Sequence, residues 1–152
     1  MIDPQSENKL FDLRQALADA IADAGIFRPD EIIIKRQTDL FNDIATALST
    51  ATNGVCLHIG VAEGKPTEDA DLEYEMTIPL TIIAEPQIAE GKKPEEVIWQ
   101  ALVKFVHGRK VSEGDHYDYR FRAGPFQDLA VNDDNGSAYL GRQTVFFYKL
   151  SL

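Results

Sequence analysis

The amino-acid sequence predicts an α+β fold: a mostly antiparallel sheet built from hairpins, with two or three helices packed on one face. Three observations lead to this prediction. Residues 72–82 alternate apolar and polar side chains with a strict period of two, three other segments repeat apolar residues every three or four positions, and the predicted strands follow one another in pairs. With 152 residues, the chain is expected to form a single domain over residues 1–152.

The first third of the chain contains two predicted helices and a short strand. Apolar residues at helical spacing predict an amphipathic helix over residues 7–24, and Gly25 follows where a helix typically ends. The β-branched run 32–34 favours a strand. Thr38 is suited to cap a second helix, which we predict over residues 39–49.

A long hairpin is predicted in the middle of the chain. Residues 54–62 alternate in the same way as residues 72–82, so the two segments are expected to pair. The connection between them, residues 63–71, reads EGKPTEDAD and is too polar to bury; it is either a contact loop or a solvated hairpin tip. Pro79 has no N–H to donate to a neighbouring strand, which predicts a sheet edge or a bulge near it.

The C-terminal half is predicted to add one helix and further strands. The helix extends over residues 94–107, with Pro94 in its first turn, and ends near Gly108. Strands are predicted at residues 117–121, 126–131 and 139–150. Gly124-Pro125 is expected to separate the first two strands, and residues 133–136 (DDNG) are expected to form a tight turn before the third.

The charge of the chain is strongly acidic and uneven. There are 25 acidic and 15 basic residues, for a net charge of -10. This balance opposes non-specific binding to nucleic acid and to anionic lipid, because both require dense positive charge. Residues 1–100 contain 19 acids and 8 bases, whereas residues 101–152 contain 6 acids and 7 bases. Unlike surfaces of this kind suit a head-to-tail contact between copies.

Cysteine content and the N-terminal segment indicate the compartment. The single cysteine, Cys56, excludes an intramolecular disulfide. The first ten residues, MIDPQSENKL, lack the basic and apolar regions of a signal peptide, and no apolar run approaches the ~18 residues of a membrane span. We therefore expect a soluble protein, intracellular or bound to a particle, without a membrane partner.

No motif points to an enzyme or to a cofactor. Residues 60–67 partly match a phosphate-binding loop, but three residues instead of four separate the glycines and a proline follows the lysine. Cys56 and His58 lie two residues apart on one predicted strand face, where Glu73 or Glu75 would complete a metal site; a small polar pair on an edge hairpin is the favoured interpretation. We predict a protein that is not an enzyme and uses no cofactor or metal.

One strand pattern is similar to that of RNA-binding sheets. The aromatic residues Tyr117, Tyr119 and Phe121 alternate with charged residues that include Arg120 and Arg122. The net charge of -10 favours the simpler interpretation, in which the aromatic side chains face the core and the charges face water.

The C-terminal segment carries a resemblance to a known family. From Phe126 the chain reads FQDLAVNDDNGSAYLGRQTVFFYKLSL, an acidic turn followed by an aromatic-rich final strand. This segment resembles the end of the tail terminator (tail completion) proteins of long-tailed bacteriophages. The order of the other elements is similar as well: an N-terminal helix, a hairpin with an acidic tip over 54–85, a helix over 94–107, then closing strands. The predicted helix at 39–49 is an addition to that order.

The resemblance implies a structural protein of the virion, assembled in the host cytoplasm. Such a protein forms a homo-hexameric ring on the phage tail tube, ends tube polymerisation and joins the tail to the head connector. Its partners are other copies of itself, the tail tube protein and the connector protein. DNA passes through the ring without tight binding, and negative charge along the lumen would repel its phosphates.

The residues expected at contacts with the tube, the connector or neighbouring subunits are charged or polar and lie at the loop tips and in the basic C-terminal third. They are Glu63, Lys65, Glu68, Asp69, Asp71, Arg120, Arg122, Asp133, Asp134, Asn135 and Arg142. Alternatives remain open: another neck or head-tail joining protein, or a stand-alone ligand-binding or regulatory α+β domain with an apolar pocket. An enzyme without a recognised motif would show convergent titratable groups in a cleft.

Overall fold

A computed structural model describes residues 9–34, 40–69, 71–85, 94–113, 117–132 and 138–152, and it has the predicted α+β fold. The helices are α1 (Lys9–Asp23), α2 (Leu40–Thr50) and α3 (Pro94–Val106). The strands are β1 (Ile32–Ile33), β2 (Val55–Ile59), β3 (Glu63–Pro66), β4 (Glu73–Ala84), β5 (Lys110–Glu113), β6 (Tyr117–Arg120), β7 (Arg122–Asn132) and β8 (Ala138–Ser151). No helix of these described ranges is long and apolar enough to cross a membrane.

The main sheet has the strand order β1-β2-β4-β8-β7, and β3 pairs with β4. β1 is parallel to β2, and the other pairs are antiparallel. β4 and β8 form the centre of the sheet, with an unbroken register from Glu73 opposite Ser151 to Ala84 opposite Leu140. β5 and β6 form a separate two-stranded sheet.

The main core lies on the sheet face that α1 and α3 cover. It includes Leu13 and Leu17 of α1, Leu102 and Val106 of α3, and Leu57, Ile78, Leu80 and Phe146 of the sheet. Apolar residues at helical spacing therefore form the buried stripes of both helices, as the sequence predicts.

α2 packs on the opposite face, which the prediction of helices on one face did not anticipate. Ile44 and Leu48 of α2 contact a smaller cluster with Cys56 and Ile83, whose side chains alternate with those of the main core. The physical reason is the parallel pair β1 and β2: parallel strands require a crossover, and α2 is the helix of that crossover. Since α1 and α3 cover one face, α2 covers the other.

The two helix ends that the sequence predicts at glycine residues are confirmed. Gly25 follows α1 with φ 75°, and Gly108 follows α3 with φ 77°, a left-handed conformation that glycine adopts without strain. The second helix is confirmed from Leu40, and its predicted cap at Thr38 lies outside the described residues.

The predicted hairpin is confirmed, and its connection is more ordered than expected. Residues 63–66 form β3, which pairs with the first half of β4. Between β2 and β3, residues 60–62 face only two residues, Ile78 and Pro79, so one extra residue forms a bulge. Gly60 N donates to Pro79 O at 2.8 Å. The bulge predicted near Pro79 is therefore present.

The C-terminal strands differ from the prediction in two ways. β5 was not predicted, because its alternation is short and its first residue is charged. Gly124-Pro125 does not separate two strands but forms a bulge inside β7, since Ala123 pairs with Phe146 and Phe126 with Thr144. A side chain at position 124 would collide with Phe147, and Pro125 has no N–H, so both residues suit an irregularity within a strand.

A buried carboxylate connects the two turns that flank the crossover. Glu31 is 5% exposed and accepts hydrogen bonds from Arg28 N at 2.7 Å and Thr52 N at 2.9 Å. It therefore ties the turn before β1 to the turn between α2 and β2.

Replacing this carboxylate will destabilise the fold. In Glu31→Gln, an amide NH2 faces a backbone N–H and leaves a buried donor unpaired, so we expect a loss of about 1–3 kcal/mol in the free energy of unfolding. Urea denaturation measures this loss. The matched control is Asp30→Asn, which removes a solvent-exposed ion pair with Arg28 and is expected to cost less than about 1 kcal/mol. Equal losses in the two variants would contradict the assigned role of Glu31.

Candidate functional site

A cleft of about 710 Å³ lies at the end of the sheet where β4 begins and β8 ends. Its charged lining residues are Glu68, Asp69, Glu75, Arg120, Arg122 and Lys149. The cleft thus brings together residues from the hairpin tip, from the junction of β6 and β7, and from the central strands.

The hairpin tip supplies the acidic wall. Thr67 N donates to Glu73 O at 2.9 Å, and Thr67 Oγ1 donates to Glu73 Oε1 at 3.0 Å, so the two strands are joined at the base of the tip. Glu68 and Asp69 follow Thr67 directly and are exposed. The tip is also held to the end of β8, because Leu152 N donates to Leu72 O at 2.9 Å.

Phe121 positions the basic wall. Its side chain is completely buried and contacts the ring of Tyr148 edge-on, with 5.3 Å between the ring centroids. Its backbone N donates to Arg109 O at 3.1 Å, and its O accepts from Gly108 N at 2.7 Å. Because side chains alternate along an extended backbone, burial of Phe121 turns Arg120 and Arg122 outward, and both are exposed.

The charges of the cleft are not neutralised within the described part of the chain. None of the six charged lining residues forms an ion pair with another described residue. Even Glu75 and Lys149, which lie directly opposite each other on β4 and β8, do not approach within ion-pair distance. The cleft therefore presents two walls of opposite charge to solvent.

Four of the predicted contact residues meet at this cleft. Glu68 and Asp69 lie on the acidic wall, and Arg120 and Arg122 lie on the basic wall, although about fifty residues separate the two pairs in the sequence. Glu75 and Lys149 could not be identified from the sequence, which does not give the register that places them opposite each other.

The other predicted contact residues lie elsewhere. Glu63 and Lys65 are exposed on β3 and line a neighbouring cleft of about 310 Å³ that is floored by Phe147. Asp71 is exposed in the turn before β4. Asp133, Asp134 and Asn135 lie outside the described residues.

Arg142 is engaged inside the molecule. Its Nε lies 2.7 Å from Asp128 Oδ1, and its guanidinium lies 5.0 Å from the ring centroid of Trp99 and 5.5 Å from that of Phe126. The hydrogen bond with Asp128 is the largest cause of a raised pKa at Arg142. Trp99 belongs to α3 and Asp128 to β7, so Arg142 holds the helix against the edge of the sheet.

The residues considered for a metal site do not come together. Cys56 pairs with Ile83 and His58 with Thr81, whereas Glu75 lies opposite Lys65. The expected position of the glutamates was wrong because β3, which was taken as a loop, occupies that part of β4. No group of three or more metal-ligating side chains occurs among the described residues.

Cys56 is also not the surface residue that the edge-hairpin interpretation expected. Its side chain is completely buried, and burial together with the negative charge of Glu31 raises its pKa to about 12. The pKa of His58 is lowered, first by burial and second by the charge of Arg14. Cys56 therefore belongs to the core, and His58 is half-buried on β2.

Comparisons with known proteins do not assign a family. No protein-family model matches the sequence, and no curated protein matches it. A solved structure from Akkermansia muciniphila, described as lacking its transmembrane region, aligns with 93% of this chain and 81% of its own length at 9% identity and a TM-score of 0.35. A similarity of this size carries no argument about function.

The Cys56 thiol will be unreactive in the folded protein. Because a thiol with a pKa of about 12 is almost entirely protonated at pH 8, and because it is buried, we expect no labelling by a disulfide reagent such as DTNB at that pH. In urea, one thiol per chain should react promptly. Rapid labelling without urea would contradict the position of Cys56 between α2 and the sheet.

Proposed function

We propose that the chain is a structural assembly protein of a phage tail, of the terminator class. It forms a ring on the end of the tail tube, stops tube polymerisation and presents a surface to the head connector. The resemblance of residues 126–152 to tail terminators supports this proposal, as does the arrangement of charges on the chain's surface. Six copies per ring are proposed from the resemblance.

The observation that carries the proposal is the pair of unlike walls at the cleft. A closed ring is built from heterologous contacts, in which one patch of each subunit binds a different patch of the next. An acidic patch at Glu68 and Asp69 and a basic patch at Arg120 and Arg122 fit this requirement. The acidic tip of one copy then neutralises the basic wall of its neighbour, and the contact repeats around the ring.

The net charge of -10 fits the passage of DNA through such a ring. Phosphates bind proteins mainly through lysine and arginine, so an acidic lumen does not retain them. The partners proposed here are the tail tube protein, the connector protein and further copies of the chain.

Charge reversal tests the head-to-tail contact. In Glu68→Lys/Asp69→Lys, both walls are basic, and in Arg120→Glu/Arg122→Glu, both are acidic. We expect each variant alone to lose the assembly of the wild-type chain, because like charges meet at every contact. An equal mixture should restore it, because the two variants alternate and every contact joins opposite charges. Light scattering gives the mass, which should be six times 17.0 kDa or a multiple of it.

The matched control is Asp19→Lys/Asp23→Lys, which makes the same change in net charge on the exposed side of α1. It should assemble as the wild type does. Formation of hexamers or larger particles by both cleft variants on their own, or a mixture that forms none, would contradict the proposed contact. A wild-type chain that neither assembles nor binds tail tubes would contradict the proposed function itself.

A further inference from the structure

β7 is a long strand at the edge of the main sheet. It pairs with β8 on one side, and no other described strand pairs with it. An exposed edge offers a row of unpaired N–H and C=O groups to another chain, so natural proteins shorten, charge or distort their edge strands. The two edges of this sheet differ in how well they are protected against the addition of a strand.

The opposite edge is well protected. β1 has only two residues, and β3 has four exposed residues that include two charges and a proline: Glu63, Lys65 and Pro66. Such short, charged or proline-containing segments resist the addition of a further strand.

β7 is protected only over its first part. The bulge at Gly124 and Pro125 distorts the strand there, but the register is uninterrupted from Phe126 opposite Thr144 to Asn132 opposite Ala138. These seven residues, FQDLAVN, contain no proline or glycine. Their one charge, Asp128, is neutralised by Arg142 on the adjacent strand at 2.7 Å. The negative charge of Asp128, which would otherwise repel a second strand, is therefore neutralised within the chain.

The segment is also complementary to itself. When two antiparallel copies overlap along the whole of residues 126–132, Leu129 lies opposite Leu129 of the partner subunit. Asp128 then faces Ala130 of the partner subunit, and Gln127 faces Val131 of the partner subunit. No like charges lie directly opposite each other, which is the arrangement that destabilises a strand pair.

We propose that two copies of this chain pair through β7, antiparallel and about a two-fold axis at Leu129. Leu129 and Val131 lie on the sheet face of the smaller apolar cluster, against which Val131 already packs. Pairing brings the two Leu129 side chains together and continues that cluster across the axis. The occupant of this edge is thus a second copy of the chain.

This contact goes beyond the proposed ring and is independent of it. It uses residues 126–132, whereas the head-to-tail contact uses the cleft at the other end of β7. A chain with both contacts joins two rings face to face, and a chain whose head-to-tail contact is blocked remains a dimer. The two proposals therefore fail separately.

A disulfide test reads the register directly. In Leu129→Cys, the two introduced cysteines lie opposite each other at a Cα distance of about 4.5–5.5 Å, which suits a disulfide. We expect a mild oxidant to give a covalent dimer of about twice 17.0 kDa. The matched control is Gln127→Cys. In this variant, the two introduced cysteines lie four residues, or about 13 Å, apart along the paired strands and should not cross-link. Cys56 is buried and gives no background.

The result that overturns the proposal is equally plain. If Leu129→Cys forms no covalent dimer, or if Gln127→Cys forms one as readily, the two-fold register at Leu129 is wrong. The same cross-link is expected in Arg120→Glu/Arg122→Glu, which cannot form the ring; its loss there would mean that the pairing depends on the ring contact.

A mass measurement provides the second test. Arg120→Glu/Arg122→Glu alone should have about twice 17.0 kDa, and adding Leu129→Lys should reduce it to 17.0 kDa, because two ammonium groups then meet at the axis. The control substitution, Val97→Lys, changes a residue of α3 that is 67% exposed and should leave the dimer intact. A charge-reversed variant that is already monomeric at millimolar concentration would overturn the proposal.

Discussion

The structure depends on the antiparallel ladder between β4 and β8, which pairs twelve residues of each strand. The two strands are far apart in the sequence, so this ladder brings the middle of the chain against its end. The other strands of the main sheet are added on the two sides of this ladder: β2 and β3 beside β4, with β1 beside β2, and β7 beside β8. α1 and α3 cover one face of the ladder, and α2 covers one end of the opposite face. The cleft lies at the other end of the ladder, where β4 begins and β8 ends. The pairing that forms the core therefore also positions the charged walls.

Local pattern predicted most of the elements but not their arrangement. The strict alternation of residues 72–82 and the apolar stripes of the helices depend on near neighbours, and the structure confirms them. Three features depend on distant contacts instead. β3 is a strand because β4 is long enough to pair with it, Gly124 forms a bulge because Phe147 lies close to it, and α2 crosses to the second face because β1 joins β2 in parallel. None of these is visible in a window of ten residues.

The residue types of the candidate site were predictable from the sequence, whereas their position beside one another at a single cleft was not. An acidic hairpin tip and a basic pair beside an aromatic residue are plain in the sequence. Their position at one cleft follows from the burial of Phe121 against Tyr148, which turns both arginines outward, and from the register that opposes Glu75 and Lys149. The register of β2 and β3 along β4 separates Cys56 and His58 from the glutamates that would have completed a metal site. Charge complementarity between surfaces, rather than a reactive group, is therefore the chemistry on which the proposed function rests.

In the proposed function, unlike walls of one cleft join copies of the chain into a ring that ends a tube. The most direct measurement is electron microscopy of phage tail tubes that grow from soluble tube protein with and without this chain. We expect a six-fold ring at one end of each tube, and tubes that stop lengthening once the ring is present. Tubes that grow to the same length in both samples, with bare ends, would contradict it.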